Sequence, residues 1–311
     1  MTSCIDRSRR WLRTLALLAL AAAVLLTVAA CGRFNRPQET PANETPVTTE
    51  PATPSTPTAT EPTPTAPATT TPPPVTYTTA RVYFSRGEFL GVGSLRKVVA
   101  ASPAKAAMTQ LLAGPTSAEK AWGLGTTIPS GTKLLGIKIS GGVATVDLSK
   151  RFESGGGTLS MTLRIAQVVN TLTQFKGVKT VAFRLDGKKA TSIGGEGLIV
   201  WPPVDRADYD GALPAIMLES PAPGATITSP VRLTGSANVF EAVFRVKITD
   251  AAGKIVADKP VKATSGTGTR GTFDASIKFT ATKHGKGWLT VYEPSAKDGS
   301  PTNVVKIRVY L

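Results

Sequence analysis

The sequence predicts an α+β domain followed by an all-β immunoglobulin-like sandwich, and three observations carry that prediction. Over residues 78–204, strand-like alternation and helical periodicity follow one another in the order β-α-β-β-α-β, a layered α+β pattern. Over residues 212–311, seven short strand-like segments are separated by turn clusters, the spacing of a β-sandwich. Before both, residues 37–75 are almost entirely Pro, Thr, Ala and Glu, a composition that cannot bury enough apolar surface to fold.

The N-terminus comes first. Arg7, Arg9, Arg10 and Arg13 precede an uncharged run over residues 14–29, and the small residues Ala29 and Ala30 precede Cys31 and Gly32. A basic start, a short apolar stretch and small residues before a cut describe a secretory signal. An uncleaved membrane span needs about 20 apolar residues, more than this run supplies. A freely secreted protein would share the signal but leave the cysteine unexplained. With Cys31 at the junction, the segment resembles the lipobox of bacterial lipoproteins. That resemblance implies cleavage after Ala30, a diacylglyceryl thioether on Cys31, and a mature chain without residues 1–30. Residues 31–77 then form a lipidated start and a disordered tether. Twelve prolines and thirteen threonines in residues 37–75 favour extended polyproline II, with a reach on the order of 120 Å. The repeated Thr-Pro pairs and Asn43-Glu44-Thr45 leave glycosylation open.

In the first folded domain, residues 78–84 alternate as a strand and residues 95–100 suggest a second short strand or hairpin. Ser102-Pro103 opens a helix, with serine as N-cap and proline at the first helical position. Ala104, Ala107, Met108, Leu111 and Leu112 recur at helical spacing, and Gly114-Pro115 ends it. A strand over residues 134–140 turns at Gly141-Gly142 into a second over residues 143–148, the glycine pair being suited to a tight hairpin. Thr158 or Ser160 caps a longer helix whose face is Leu163, Ala166, Val169, Leu172 and Thr173, and Lys176-Gly177 ends it. A last strand covers residues 178–185 before the turn Asp186-Gly187, and the helices are expected on one face of the sheet.

Several strings in this segment resemble a known family, the GerMN domain. They are Leu111-Leu112-Ala113-Gly114-Pro115-Thr116, Ile128-Pro129 with Gly131-Thr132, Val143-Ala144-Thr145-Val146-Asp147-Leu148-Ser149, and Gly194-Gly195-Glu196-Gly197. The resemblance implies a fold similar to ring-building modules of secretion-type assemblies, a setting in extracytoplasmic sporulation, germination and other envelope proteins, and no catalytic activity.

The second domain has candidate strands over residues 216–219, 231–235, 242–249, 254–260, 273–279, 288–292 and 304–311. Pro223-Gly224, Ala252-Gly253 and Asp298-Gly299 mark turns between them. The strings Pro223-Gly224-Ala225-Thr226, Ala237-Asn238-Val239-Phe240-Glu241-Ala242 and Asp298-Gly299-Ser300-Pro301 resemble the Ig-like domain of bacterial spore germination. That domain often follows GerMN in one chain, and the resemblance implies a binding or structural module.

Motifs that could carry chemistry are few. The folded part has no cysteine, since Cys4 lies in the signal and Cys31 at its end, so disulfides, thiolate metal sites and cysteine nucleophiles are excluded. His284 is the single histidine and lies in a polar turn. Ser102, Ser117 and Ser130 each begin an S-x-x-K string, but the partner K-T-G and S-D-N elements are missing. Gly266-x-Gly268-x-x-Gly271 precedes a strand rather than a helix, the wrong setting for a dinucleotide. Asp147, Glu196 and Asp298 sit among turn residues and read as turn acids. Trp122 and Trp201 lie in loops and are the candidate wall-contact aromatics, whereas Trp288 is read as core.

The formal net charge is +15, of which residues 81–205 carry +9 and residues 206–311 carry +5. A basic exported protein is drawn to anionic headgroups or wall polymers, and export argues against nucleic acid. The expectation is therefore a lipid-anchored, non-enzymatic envelope protein without cofactor or metal, at the outer face of the cell membrane. Homo-oligomerisation through the GerMN-like domain is the first expected partnership. Binding of peptidoglycan or an anionic cell-wall glycopolymer is the alternative, and turnover of peptidoglycan is disfavoured by the missing motifs.

Overall fold

A computed structural model describes residues 75–311; the expected signal, Cys31 and the tether up to residue 74 lie outside the described residues. Among the described residues, no helix is long and apolar enough to cross a membrane.

The first domain begins with two short antiparallel pairs. β1 (Tyr77–Ala80) pairs with β4 (Arg96–Val99), and β2 (Tyr83–Arg86) forms a hairpin with β3 (Phe89–Val92). The single strand expected over residues 78–84 is thus broken at Arg81-Val82. The break lets Tyr83 and Phe84 turn into the core, where both are fully buried. α1 (Pro103–Ala113) starts with proline in its first turn and ends at Gly114, whose φ of 81° suits glycine. Ser102 occupies the N-cap position, but its side chain makes no capping hydrogen bond. α2 (Ser117–Ala121) has a feature the sequence reading missed, a capping box between Thr116 and Glu119.

The main sheet has the order β5-β6-β7-β8, from β5 (Leu134–Ser140), β6 (Val143–Leu148), β7 (Thr180–Leu185) and β8 (Lys188–Lys189). β5 and β6 are antiparallel across Gly141-Gly142, as expected, and β6 and β7 are parallel. Parallel neighbours need a crossover, here α3 (Thr158–Leu172). A small pair, β9 (Ser192–Ile193) and β10 (Leu198–Ile199), follows.

α3 was expected to bury one face; instead Met161 and every residue from Leu163 to Leu172 is buried. It packs against α1, β2, β3, β7 and β10 at once. Its polar residues are satisfied within that environment. Arg164 donates to the carbonyl oxygens of Thr127, Phe152, Ser154 and Gly155 at 2.6–3.0 Å. The Gln167 side chain bonds Thr126 and Thr127, both at 2.9 Å, and Thr171 Oγ1 accepts from the Tyr83 amide at 3.2 Å. Such pairing is what makes burial of polar groups tolerable.

All seven strands expected in the second domain are present: β11 (Ile216–Ser220), β12 (Val231–Ala237), β13 (Val243–Thr249), β14 (Ile255–Lys262), β15 (Gly271–Ile277), β16 (Lys286–Pro294) and β17 (Pro301–Tyr310). They form a three-stranded sheet, β11-β12-β15, over a four-stranded sheet, β14-β13-β16-β17. The inner faces meet through Leu233, Phe244, Val246, Ile248, Phe273, Leu289 and Val291, with the Phe244 and Phe273 rings 4.8 Å apart. This is the two-sheet architecture of an Ig-like domain.

Candidate functional site

The residues with the densest long-range chemistry lie where the two domains meet, and strand β11 organises them. Side chains alternate across a strand. Here Ile216 and Leu218 enter the core of the sandwich, while Met217 between them enters the core of the first domain. Tyr209, Ala212 and Leu213 also belong to the first core, which therefore runs past residue 204 to Met217. The described residues fall within one compact unit.

Around this strand a polar cluster ties the two domains. Glu219 Oε1 accepts from the Tyr83 hydroxyl at 2.7 Å and from Arg206 Nη1 at 2.7 Å. The carbonyl of Glu219 accepts from Arg81 Nε at 2.8 Å, and Arg206 also donates to Thr173 Oγ1 and the Asn170 carbonyl. Burial pushes the Tyr83 hydroxyl well above the ordinary phenol range, with the neighbouring Glu219 adding to the rise, so it stays a neutral donor. Arg270 from the loop before β15 pairs with Asp210 at 2.8 Å and donates to the Pro214 carbonyl at 3.0 Å. A polar groove of 530 Å³ beside Arg206, Glu219 and Arg270 and an apolar pocket of 230 Å³ beside Phe89, Met217 and Val304 open at this junction.

Trp122 follows α2 and is half-buried against the second domain. A Cβ on Gly224 would lie 2.9 Å from its ring, and Gly224 has a φ of 81°. Gly224 therefore supplies both the left-handed turn and the room for the indole. Trp201 is 42% exposed, with Lys189 Nζ 3.1 Å from its ring centroid and Ile199 exposed nearby. Trp288, expected in the core, instead faces outward from β16 beneath Lys306 and Arg308. The core positions of that strand are Leu289 and Val291, of opposite parity to residue 288.

The remaining motif residues do not converge. His284 is exposed in the turn before β16. Ser102, Ser117 and Ser130 precede or open separate elements. The loop 266–271 leads into β15, and Gly268 donates its amide to Asn238 Oδ1 at 2.9 Å. Asp147 accepts from the Gly187 amide at 3.0 Å, and Asp298 accepts from the amide and hydroxyl of Ser300. Glu196 is exposed. Among the described residues, no cluster of three or more His, Cys, Asp or Glu could hold a metal. The junction's one carboxylate–arginine–tyrosine cluster is internally paired, which suits holding two domains in place. No periodic signal marks this cluster in the sequence, because Tyr83 lies more than a hundred positions before Arg206 and Glu219 and these two fall on separate elements.

Comparison with known proteins places the two segments. Residues 81–191 match the family described as "Sporulation and spore germination". Residues 215–300 match the "Immunoglobulin-like domain of bacterial spore germination". Among solved structures, the chain is similar to the tandem GerMN domains of the sporulation protein GerM from Bacillus subtilis at 16% identity and a TM-score of 0.37. That match covers 65% of this chain and 61% of the other, so the chain spans about three fifths of it. The first GerMN domain of the same protein is similar at 22% identity and a TM-score of 0.35, over 42% of this chain and 99% of that one. A Clostridium perfringens protein, provisionally assigned as a lipoprotein, is similar at 18% identity and a TM-score of 0.33, over 44% and 93%. Among curated proteins none matches. The segments matched by the two families lie in the order seen in the fold: the chain carries a GerMN domain of the sporulation and spore germination family, followed by an Ig-like domain of bacterial spore germination.

Proposed function

We propose that this chain is a lipid-anchored, non-enzymatic protein of the cell envelope that presents its two domains as one docking body at the outer face of the membrane, in a sporulation- or germination-related assembly. The observation that carries this reading is the ordered pair of family matches on a single fused body. The signal-like N-terminus ending at Cys31 supports the anchor. The edge strand β5, with Leu135 51% and Ile139 46% exposed, supports self-association through the GerMN domain, since an uncovered apolar edge invites pairing. Labelled palmitate fed to the producing cells should enter the protein, and Cys31→Ser should abolish it; label retained in that variant would remove the anchor. In-cell crosslinking should give a self-adduct that Leu135→Lys with Ile139→Lys suppresses; an unchanged adduct pattern would remove the β5 contact.

A second reading, binding of an anionic cell-wall glycopolymer, is favoured by the excess of +9 and +5 on the two folded segments. Retention on purified wall should fall as salt rises; salt-independent retention, or none, speaks against it.

A further inference from the structure

The outer face of the four-stranded sheet in the Ig-like domain carries a pattern of side chains that the junction does not use. The strand register sets two rows across β13, β16 and β17: Lys247–Thr290–Lys306 and Thr249–Trp288–Arg308. The alternating partners Val246, Ile248, Leu289, Val291, Ile307 and Val309 point inward, so both rows face out. The cations lie over aromatic rings. The Arg308 guanidinium carbon is 3.7 Å and Lys306 Nζ 4.3 Å from the Trp288 ring centroid, and Lys247 Nζ is 5.3 Å from that of Tyr292. Such contacts hold long, otherwise mobile side chains in position.

These cations lack carboxylate partners. Among the described residues, no carboxylate lies within ion-pair distance of Lys247, Lys306 or Arg308. Asp258, opposite Lys247 in the register, is taken by Arg245 at 2.8 Å and by the Tyr292 hydroxyl at 3.4 Å. Three fixed, uncompensated positive charges therefore share one flat surface. Lys306 and Arg308 are two residues apart on one strand, about 7 Å, and Lys247 and Lys306 two strands apart, about 10 Å. A small anion needs donors that converge, which a flat sheet does not offer. A linear polymer with an anionic group every several ångströms can meet all three cations at once, and the half-buried Thr249 beside them offers a hydroxyl for a polar contact.

We propose that this face binds a polyanionic glycopolymer, a polysaccharide or polyol chain bearing repeated phosphate or carboxylate groups. The proposal gives the second reading above its site and rests on it only for the source of the polymer. A polymer is favoured over the membrane surface because the Trp288 ring lies under Lys306 and Arg308, capped by cations rather than free to enter the headgroup boundary as an interfacial anchor does. It also moves the aromatic contact from Trp122 and Trp201 to Trp288.

The test uses the chain from residue 31 onward with Cys31→Ser, which keeps every described residue. The probes are poly(glycerol phosphate), uncharged dextran, and phosphatidylcholine vesicles containing phosphatidylglycerol at the same total phosphate. Poly(glycerol phosphate) should bind and dextran should not. The triple variant Lys247→Gln, Lys306→Gln, Arg308→Gln should weaken binding at least tenfold and flatten its salt dependence. A charge-matched control, Lys133→Gln, Lys150→Gln, Lys188→Gln on the first domain, should stay within twofold. Circular dichroism and thermal melts confirm that both variants are folded, and Trp288→Phe, which keeps an aromatic ring under the cations, should lose less than the triple variant. Equal weakening by the control, equal or tighter binding to the vesicles, or no binding by the parent chain would each overturn the proposal. Salt-dependent retention on purified wall that the triple variant leaves unchanged would overturn this site while the second reading stands, so the two fail separately, and none of these outcomes bears on palmitate incorporation or the crosslinked self-adduct.

Discussion

Met217→Ala tests whether the two cores unfold as one. The Met217 side chain is 3% exposed and packs in the core of the GerMN domain, yet its strand is hydrogen-bonded into the β11-β12-β15 sheet of the Ig-like domain. Truncation removes three buried heavy atoms, worth about 2.4 kcal/mol at roughly 0.8 kcal/mol per group. The surrounding core, pinned by β11 on one side and α3 on another, can collapse only partly. A cavity contribution brings the expected loss to about 3 kcal/mol, inside the usual range for such changes. Urea unfolding should show a single transition shifted by that amount. Hydrogen exchange below the midpoint should show protection falling together in β6 and in β16, one strand from each domain. If β6 loses protection while β16 keeps its own, the cores unfold independently and the shared-strand argument is wrong. A loss under about 1 kcal/mol in both would show that Met217 is not packed as described.

Three further changes probe the polar framework. Glu219→Ala removes the acceptor shared by Tyr83 and Arg206; because both ends of the ion pair are about a quarter to a third exposed, the expected loss is about 2 kcal/mol rather than the 3–5 of a fully buried pair. Thermal denaturation should show Glu219→Gln, which keeps an acceptor, losing less. Glu119 is fully buried and accepts from Arg96 at 2.5 Å, the Thr116 amide at 2.7 Å and the Ser94 amide at 2.8 Å. Burial alone would raise its pKa, but the bonds from Thr116, Arg96 and Ser94 win and hold it below the ordinary carboxylate range. Glu119→Ala strands Arg96 and should cost about 3 kcal/mol in chemical denaturation. Asp250 is held at a pKa of about 2, chiefly by the Thr282 hydroxyl and also by the amides of Lys254, Ala252 and Thr282, against the opposing effect of burial. A carboxyl lowered on folding stabilises above its unfolded pKa, about 3.9, and loses that contribution as pH falls toward 2. Acid titration of stability should therefore fall more gently between pH 4 and 2 in Asp250→Asn than in the parent chain; identical slopes would show that the Thr282 contacts do not form.

Much of the fold was legible because local chemistry and global packing agree. The seven short strands of the sandwich, the Gly141-Gly142 hairpin, and the proline start and glycine stop of α1 follow from turn preference and alternation alone. What was not legible depends on which neighbour a face meets. The residues Ile216, Met217 and Leu218 are three consecutive apolar residues, and a period of two cannot say that alternate ones serve different cores. α3 reads as amphipathic because its polar residues look solvated, yet Gln167, Asn170 and Arg164 are buried with partners drawn from loops and carbonyls within their reach. Alternation with Val291 suggests a core place for Trp288, but the two residues are three apart and so lie on opposite faces of the strand, where Val291 points inward. Trp122 looked like a loop aromatic because Gly224, which it covers, is about a hundred positions away.

The strand that serves both cores also sets how this body meets a partner. Two modules on a loose linker would each surrender rotational and translational freedom on docking. Here Met217 on one side and Ile216 and Leu218 on the other leave no joint to flex, so a partner that touches both domains immobilises a single rigid object. The entropy lost on association, several kcal/mol for each independent body, is incurred once. The contacts proposed for the β5 edge and the Trp288 face would then add their strengths in one encounter, at an angle inherited from the fold rather than searched for each time.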